Sequence, residues 1–283
     1  MSRQAYTKQK ISITESPSNF EDLDKMSVNE LLTNINHEDA KVHEAVRREI
    51  PRIETLISQI LVRMQKGGRL FYLGAGTSGR LGVLDASEVP PSFGVPDNVV
   101  IGLIAGGETA LRKAVESAED DPAKAWSELE IFNINTKDSV IGIAASGTTP
   151  YVEGGIKKAR ENGILTGCIT CNPEGPIVNA AEYPVVVVVG PEFLTGSTRL
   201  KAGTAQKMVL NMITTTLMIK LGRVKGNKMV NMLLTNKKLI ERGTRMIVEE
   251  LNIQREAARI LLIEQGSVKK ALEFYSENYK LKI

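Results

Sequence analysis

The chain has 283 residues, 42% of them hydrophobic and 24% charged, with a formal net charge of +3. That length supports one large globular domain with a smaller appendage, in the composition of an ordinary soluble protein. The small charge, short basic clusters such as Val224-Lys225-Gly226-Asn227-Lys228 and a valine run confined to Val185–Val189 argue against a nucleic-acid partner and against a membrane span.

Residues 1–20 are polar and are expected to be mobile, and they contain no apolar signal core, so a cytoplasmic location is expected. Ser27-Val28-Asn29-Glu30 has the form of a capping box and predicts a helix through about Ile35. From 38 to 66, Val42, Val46, Ile50, Ile53, Ile57, Ile60 and Met64 recur at three- and four-residue spacing, which predicts an amphipathic helix ended by Gly67-Gly68. Residues 21–66 are thus read as N-terminal helices packing on a core.

Five short apolar runs follow: "RLFYLGAG", "VVIGLIAG", "SVIGIAAS", "ILTGCITC" and "YPVVVVVG". Continuous apolar strands alternating with helices are buried on both faces, so residues 67–226 read as an α/β domain, a doubly wound five-stranded parallel sheet. The apolar stretch Gly203 to Gly222 predicts a helix on that sheet. Residues 227–283 read as a C-terminal helical domain of three short amphipathic helices, broken near Gly243 and Gly266.

Cys168 and Cys171 form a C-x-x-C, but within a strand positions three apart face opposite sides, so two small buried residues are expected rather than a redox pair. His37 and His43 lack metal-ligand spacing, and no metal is expected.

In open parallel sheets, ligands bind beyond the carboxyl ends of the strands, where helix N-termini present free N–H groups to anions. Three turns here carry glycine and hydroxyls before a helix: Gly76-Thr77-Ser78 after the first run, Ser146-Gly147-Thr148 after the third, and Thr195-Gly196-Ser197-Thr198 after the fifth. Such a turn is also simply a good helix cap. The spacing Gly74-x-Gly76-x-x-Gly79 resembles a dinucleotide turn, but the second run ends in Ala105-Gly106-Gly107 where that reading needs an acid. No nucleoside-triphosphate loop occurs either, which leaves a phosphorylated small molecule. Glu88 in "DASEVPP" and Glu119 in "VESAEDD" stand where the helix dipole does not favour acids.

The segments "GRLGVLDASE", "GGETALRKAVESAEDD", "GIAASGTTPYV" and "LTGSTRLKAGTAQKMVLNM" closely resemble the N-acetylmuramic acid 6-phosphate etherase family, of the SIS (sugar isomerase) fold, a flavodoxin-like sheet. The resemblance runs from about Thr14 to the C-terminal helices. Val89 stands where cysteine is common, and Thr148 where some relatives carry arginine. The resemblance implies cleavage of N-acetylmuramate 6-phosphate into N-acetylglucosamine 6-phosphate and D-lactate without a cofactor. Glu119 would be the base at C2 and Glu88 the proton donor to the departing lactate. Gly76, Thr77, Ser78, Ser146, Gly147, Thr148, Thr195, Ser197 and Thr198 would cradle the phosphate, with Lys201 beside them.

Glu88 follows the first turn by about 10 residues, or roughly 15 Å along a helix at ~1.5 Å per residue, so either the helix is shorter, as Gly79 and Gly82 allow, or another subunit completes the site. Proteins of the SIS fold generally pair, so the resemblance implies a homodimer with a composite site. An aldose–ketose isomerase of a sugar phosphate and a non-catalytic sugar-phosphate sensor, like the glucokinase regulatory protein, are the alternatives. The presence of both glutamates favours the enzyme.

Overall fold

A computed structural model describes residues 12–115 and 117–279. Helix α1 (Val28–Arg48) starts at the expected capping box: Ser27 Oγ accepts from the Glu30 N–H at 3.3 Å, and the Glu30 carboxylate accepts from the Ser27 N–H at 2.8 Å. It does not stop near Ile35. The break falls at Glu49, because Pro51 in the first turn of α2 (Ile50–Met64) has no N–H and cannot continue a preceding helix.

The sheet comprises β1 (Leu70–Gly74), β2 (Val100–Ile104), β3 (Ser139–Ile143), β4 (Leu165–Thr170) and β5 (Tyr183–Val186), all parallel, in the order β2-β1-β3-β4-β5. The connecting helices are α3 (Gly76–Phe93), α4 (Gly107–Arg112), α5 (Lys124–Ile131), α6 (Pro150–Glu161) and α7 (Pro176–Ala180), and α8 (Lys201–Lys220) follows β5. Alternate side chains of each strand enter different cores, as period-two geometry requires. Leu70, Tyr72, Ile141, Ile143 and Ile169 pack with Ile57, Ile60, Val89, Val209 and Ile213 of α2, α3 and α8. Phe71, Leu73 and Val140 pack with Leu129, Ile156 and Ile177 on the other face. Burial of each such aliphatic side chain contributes about 1.5–3 kcal/mol, and truncating Ile141 to alanine would forfeit that amount and leave a cavity. Cys168 belongs to the second core and Cys171 to the first, so the two thiols are buried on opposite faces, unpaired, as expected.

Gly79 packs α3 onto β1: a Cβ there would lie 2.6 Å from Ile104 Cγ1 and 2.7 Å from the Gly74 carbonyl oxygen. The glycine spacing therefore serves close helix–strand contact.

The C-terminal part begins with a hairpin of β6 (Val224–Lys225) and β7 (Lys228–Met229), turning through Gly226 at φ 59°, which hydrophobic patterning does not reveal. Helices α9 (Lys237–Leu251), α10 (Arg255–Gln265) and α11 (Val268–Tyr279) enclose their own apolar cluster around Ile247, Leu262 and Ala271. Gly243 does not break a helix. It sits inside α9, where a Cβ would be 2.8 Å from Leu262 Cδ2, and the breaks fall instead at Asn252 and Gly266, both left-handed.

Residues 1–11 lie outside the described residues, and residues 12–20 make defined contacts with the loop that follows β5. Thr14 is buried, Ser18 Oγ donates to the Phe193 carbonyl at 2.7 Å, and the Phe20 and Phe193 rings pack with centroids 5.0 Å apart. Polar sequence here hides an aromatic anchor. No helix among the described residues is long and apolar enough to cross a membrane.

Candidate functional site

The order β2-β1-β3 means that the chain reverses direction across the sheet between β1 and β3, and a crevice opens above such a switch point. A cavity of about 380 Å³ lies there, at the starts of α3 and α6. The residue preceding α3, Ala75, has no side chain to cap the helix, so the first N–H groups, at Gly76, Thr77 and Ser78, have no intrahelical acceptor. At α6, Thr149 makes no side-chain cap either, and Pro150 supplies no donor. The donors there are instead Ser146 and Thr148, whose hydroxyls bond each other at 2.8 Å.

Of the residues expected in the cradle, Gly76, Thr77, Ser78, Ser146, Thr148 and Thr198 line this one cavity. Gly147 shapes the turn rather than the wall: its φ is +73°, and a Cβ would meet Gly175 Cα at 2.9 Å. Thr195 is engaged by the N-terminal segment, its hydroxyl accepting from the Ser18 N–H at 2.9 Å, and the Ser197 N–H donates to the Leu194 carbonyl.

Lys201 does not line the cavity. It is 1% exposed, and its ammonium pairs with Glu38 of α1. The start of α8 is already occupied by a protein anion, because the Glu192 carboxylate accepts from the Lys201 and Ala202 N–H groups at 2.9 Å each. Burial pushes the Glu192 carboxyl up from its ordinary value, against these bonds and the Lys201 charge. A third helix terminus for the ligand is therefore unavailable at α8, and Thr198 alone represents that turn.

Glu119 reaches the cavity although it follows β2 by fifteen residues. Helix α4 is short, Ser117 takes a left-handed φ of 61°, and the Tyr151 N–H donates to the Glu119 carbonyl at 2.9 Å. Those features bring the segment back to the first turn of α6. Glu15 and Asp120, which pattern reading passes over, also reach the cavity wall. Glu88 does not. It is exposed on α3, twelve residues beyond Gly76, or roughly 18 Å at ~1.5 Å per residue.

Two buried polar contacts hold α3 in register with α8. Ser78 Oγ donates to Gln206 Oε1 at 2.8 Å. One turn before Glu88, the buried Asp85 accepts from Tyr72, Asn211 and Thr214 at 3.0–3.2 Å. Burial pushes the Asp85 carboxyl up, and these three hydrogen bonds pull it partly back. None of these α8 partners, Gln206, Asn211 and Thr214, is identifiable from spacing, because the contacts span more than a hundred residues.

Residues 52–160 match the glucokinase regulatory protein N-terminal SIS domain, and residues 117–216 match the SIS domain. A phosphoheptose isomerase from Neisseria gonorrhoeae superposes with a TM-score of 0.53 at 15% identity, covering 68% of this chain and 98% of that one. The fold and the hydroxyl-lined crevice thus define a protein of the SIS sugar isomerase class. The chain is 64% identical over 265 residues to N-acetylmuramic acid 6-phosphate etherase of Bacteroides thetaiotaomicron, covering 94% of this chain and 96% of the relative. It is also 64% identical to the protein of that name from Christiangramia forsetii, covering 92% and 95%. The chain belongs to the N-acetylmuramic acid 6-phosphate etherase family.

Proposed function

We propose that this chain is a carbon–oxygen lyase that cleaves the D-lactyl ether of N-acetylmuramate 6-phosphate, releasing D-lactate and N-acetylglucosamine 6-phosphate in amino-sugar and cell-wall recycling. The identity to etherases along nearly the whole chain carries this reading. The placement of Glu119 beside a cradle of hydroxyls and free N–H groups supports it.

The 6-phosphate sits at Gly76–Ser78, Ser146 and Thr148, held by neutral donors. In the open-chain sugar the C1 aldehyde acidifies the C2 hydrogen, which Glu119 removes. The C3–oxygen bond breaks, a C2–C3 double bond forms, and Glu88 gives its proton to the departing lactyl oxygen. Water then adds at C3, deprotonated by Glu88, and C2 regains a proton from Glu119. Because Glu88 lies far from its own cradle, a second copy supplies it across a homodimer. A cytoplasmic site of action belongs to the same reading, since a phosphorylated sugar does not cross a bilayer unaided.

Incubation with N-acetylmuramate 6-phosphate and an assay for D-lactate tests the reading. Wild type releases lactate, and Glu88→Ala does not. A well-folded wild type that released none would remove the etherase reading, and sugar-phosphate isomerisation without lactate would install the isomerase alternative.

A further inference from the structure

Beside the hydroxyl-lined cavity, and sharing Gly76 and Glu119 with it, lies a second cavity of about 250 Å³ walled by Ala105, Ala110, Ala114, Val115 and Ala118, with Arg80 among its lining residues. Resting on the etherase reading, we propose that Arg80 binds the carboxylate of the lactyl ether and so selects sugar phosphates with an acidic 3-O-substituent.

Charge makes the first part of the case. Among the described residues, the linings of the two cavities contain three carboxylates, Glu15, Glu119 and Asp120, and Arg80 is the single cation among them. A substrate carboxylate entering such surroundings is repelled unless a cation receives it. The phosphate has its own donors at the turns, so Arg80 is free for the second anion.

Orientation makes the second. Arg80 follows Gly76 by four residues and stands on the same face of α3, one turn beyond the cradle. Its Nε donates to the Leu111 carbonyl at 3.1 Å, which fixes the guanidinium and leaves its two terminal amino groups for an end-on pair with a carboxylate. Among the described residues no protein carboxylate takes that position.

The substrate's own connectivity completes the case. Glu119 borders both cavities, so a C2 hydrogen within its reach lies at their junction. With the C6 phosphate in the hydroxyl-lined cavity, the C3 substituent extends into the other. There the lactyl methyl meets alanine walls and the lactyl carboxylate meets Arg80.

The test titrates Glu119→Gln, which stops turnover, and Glu119→Gln/Arg80→Gln with three ligands: N-acetylmuramate 6-phosphate, its analogue with the lactyl carboxylate converted to an amide, and N-acetylglucosamine 6-phosphate. Loss of a charge-assisted pair should raise the Kd of the acid about 10- to 100-fold and leave the amide and the product within about twofold. Arg80→Lys should fall between. An equal loss for all three ligands would place Arg80 on the phosphate or in the fold, and an unchanged Kd for the acid would remove it from the site; either overturns the proposal. If Arg80→Gln does not fold, the single variant Glu119→Gln decides, because equal affinity for acid and amide also overturns it. Failure of the etherase reading is separate, and shows as a wild type that releases no D-lactate.

Discussion

The ammonium of Lys201 lies 2.5 Å from a carboxylate oxygen of Glu38, 163 residues away in the chain, and both side chains are buried. This pair joins α1 to the first turn of α8, beside the Glu192 cap. Removing one member of a buried ion pair typically costs about 3–5 kcal/mol, because the other charge stays desolvated. Lys41 also pairs with Glu38 and softens the loss. Lys201→Met should therefore lower the free energy of unfolding by about 3 kcal/mol in urea titration, and a change below about 1 kcal/mol would show the pair to be dispensable.

The same pair predicts a pH dependence. Burial pushes the Glu38 carboxyl up, but hydrogen bonds from Lys201 and Lys41, with their charges, outweigh it and hold the carboxyl below its ordinary value. A carboxyl lowered on folding contributes stability above its unfolded value, about 4.3 for glutamate, and loses it as pH falls through the folded value. The stability difference between wild type and Glu38→Gln should be constant from about pH 6 to 8 and shrink below about pH 4. A difference that widens in acid would contradict the direction of the shift.

Glu88 and Glu119 provide a test of the shared site. Each glutamine variant alone should lose at least about 100-fold in kcat, as expected for removal of a general acid or base. If the two act from different subunits, unfolding and refolding an equal mixture of the variants should restore about a quarter of wild-type activity, since half of the dimers are mixed and each carries one intact site. Activity that stays at the level of the single variants would place both glutamates in one subunit's site.

Gly79→Ala should destabilise the fold and disturb the first turn together. The added Cβ would meet the Gly74 backbone and Ile104 at 2.6–2.9 Å, and backbone cannot give way as a flexible side chain does. A loss of about 2–4 kcal/mol is expected from this overpacking, together with weaker binding of N-acetylglucosamine 6-phosphate, because the shift displaces the N–H groups of the first turn. A thermally neutral variant would mean that α3 can slide on β1.

Much of this architecture is legible in the residues. The five apolar runs become the five strands because buried parallel strands need no polar face, and Cys168 and Cys171 fall on opposite faces by strand period alone. The hydroxyl turns after the first and third runs meet because β1 and β3 are neighbours, a fact of strand order that periodicity does not contain. Helix limits are less legible: Pro51 governs the α1–α2 break more strongly than the weakly patterned residues near Ile35, and Gly243 is a packing glycine. Glu38 and Glu192 resemble solvated charges until the fold supplies Lys201 and the α8 N–H groups. Arg80 lies in the segment GRLGVLDASE, but sequence does not tell a ligand contact from a helix-surface charge, and the cavity walls supply that distinction.

The two cysteines have a practical consequence. Burial pushes both thiols up to about 12, so neither ionises appreciably in the folded chain near neutral pH. A maleimide or iodoacetamide reagent will therefore label them at the rate at which the sheet opens. Since one thiol reports on each side of the sheet, separate labelling rates for Cys168 and Cys171 would time the detachment of the two helical layers without any engineered probe.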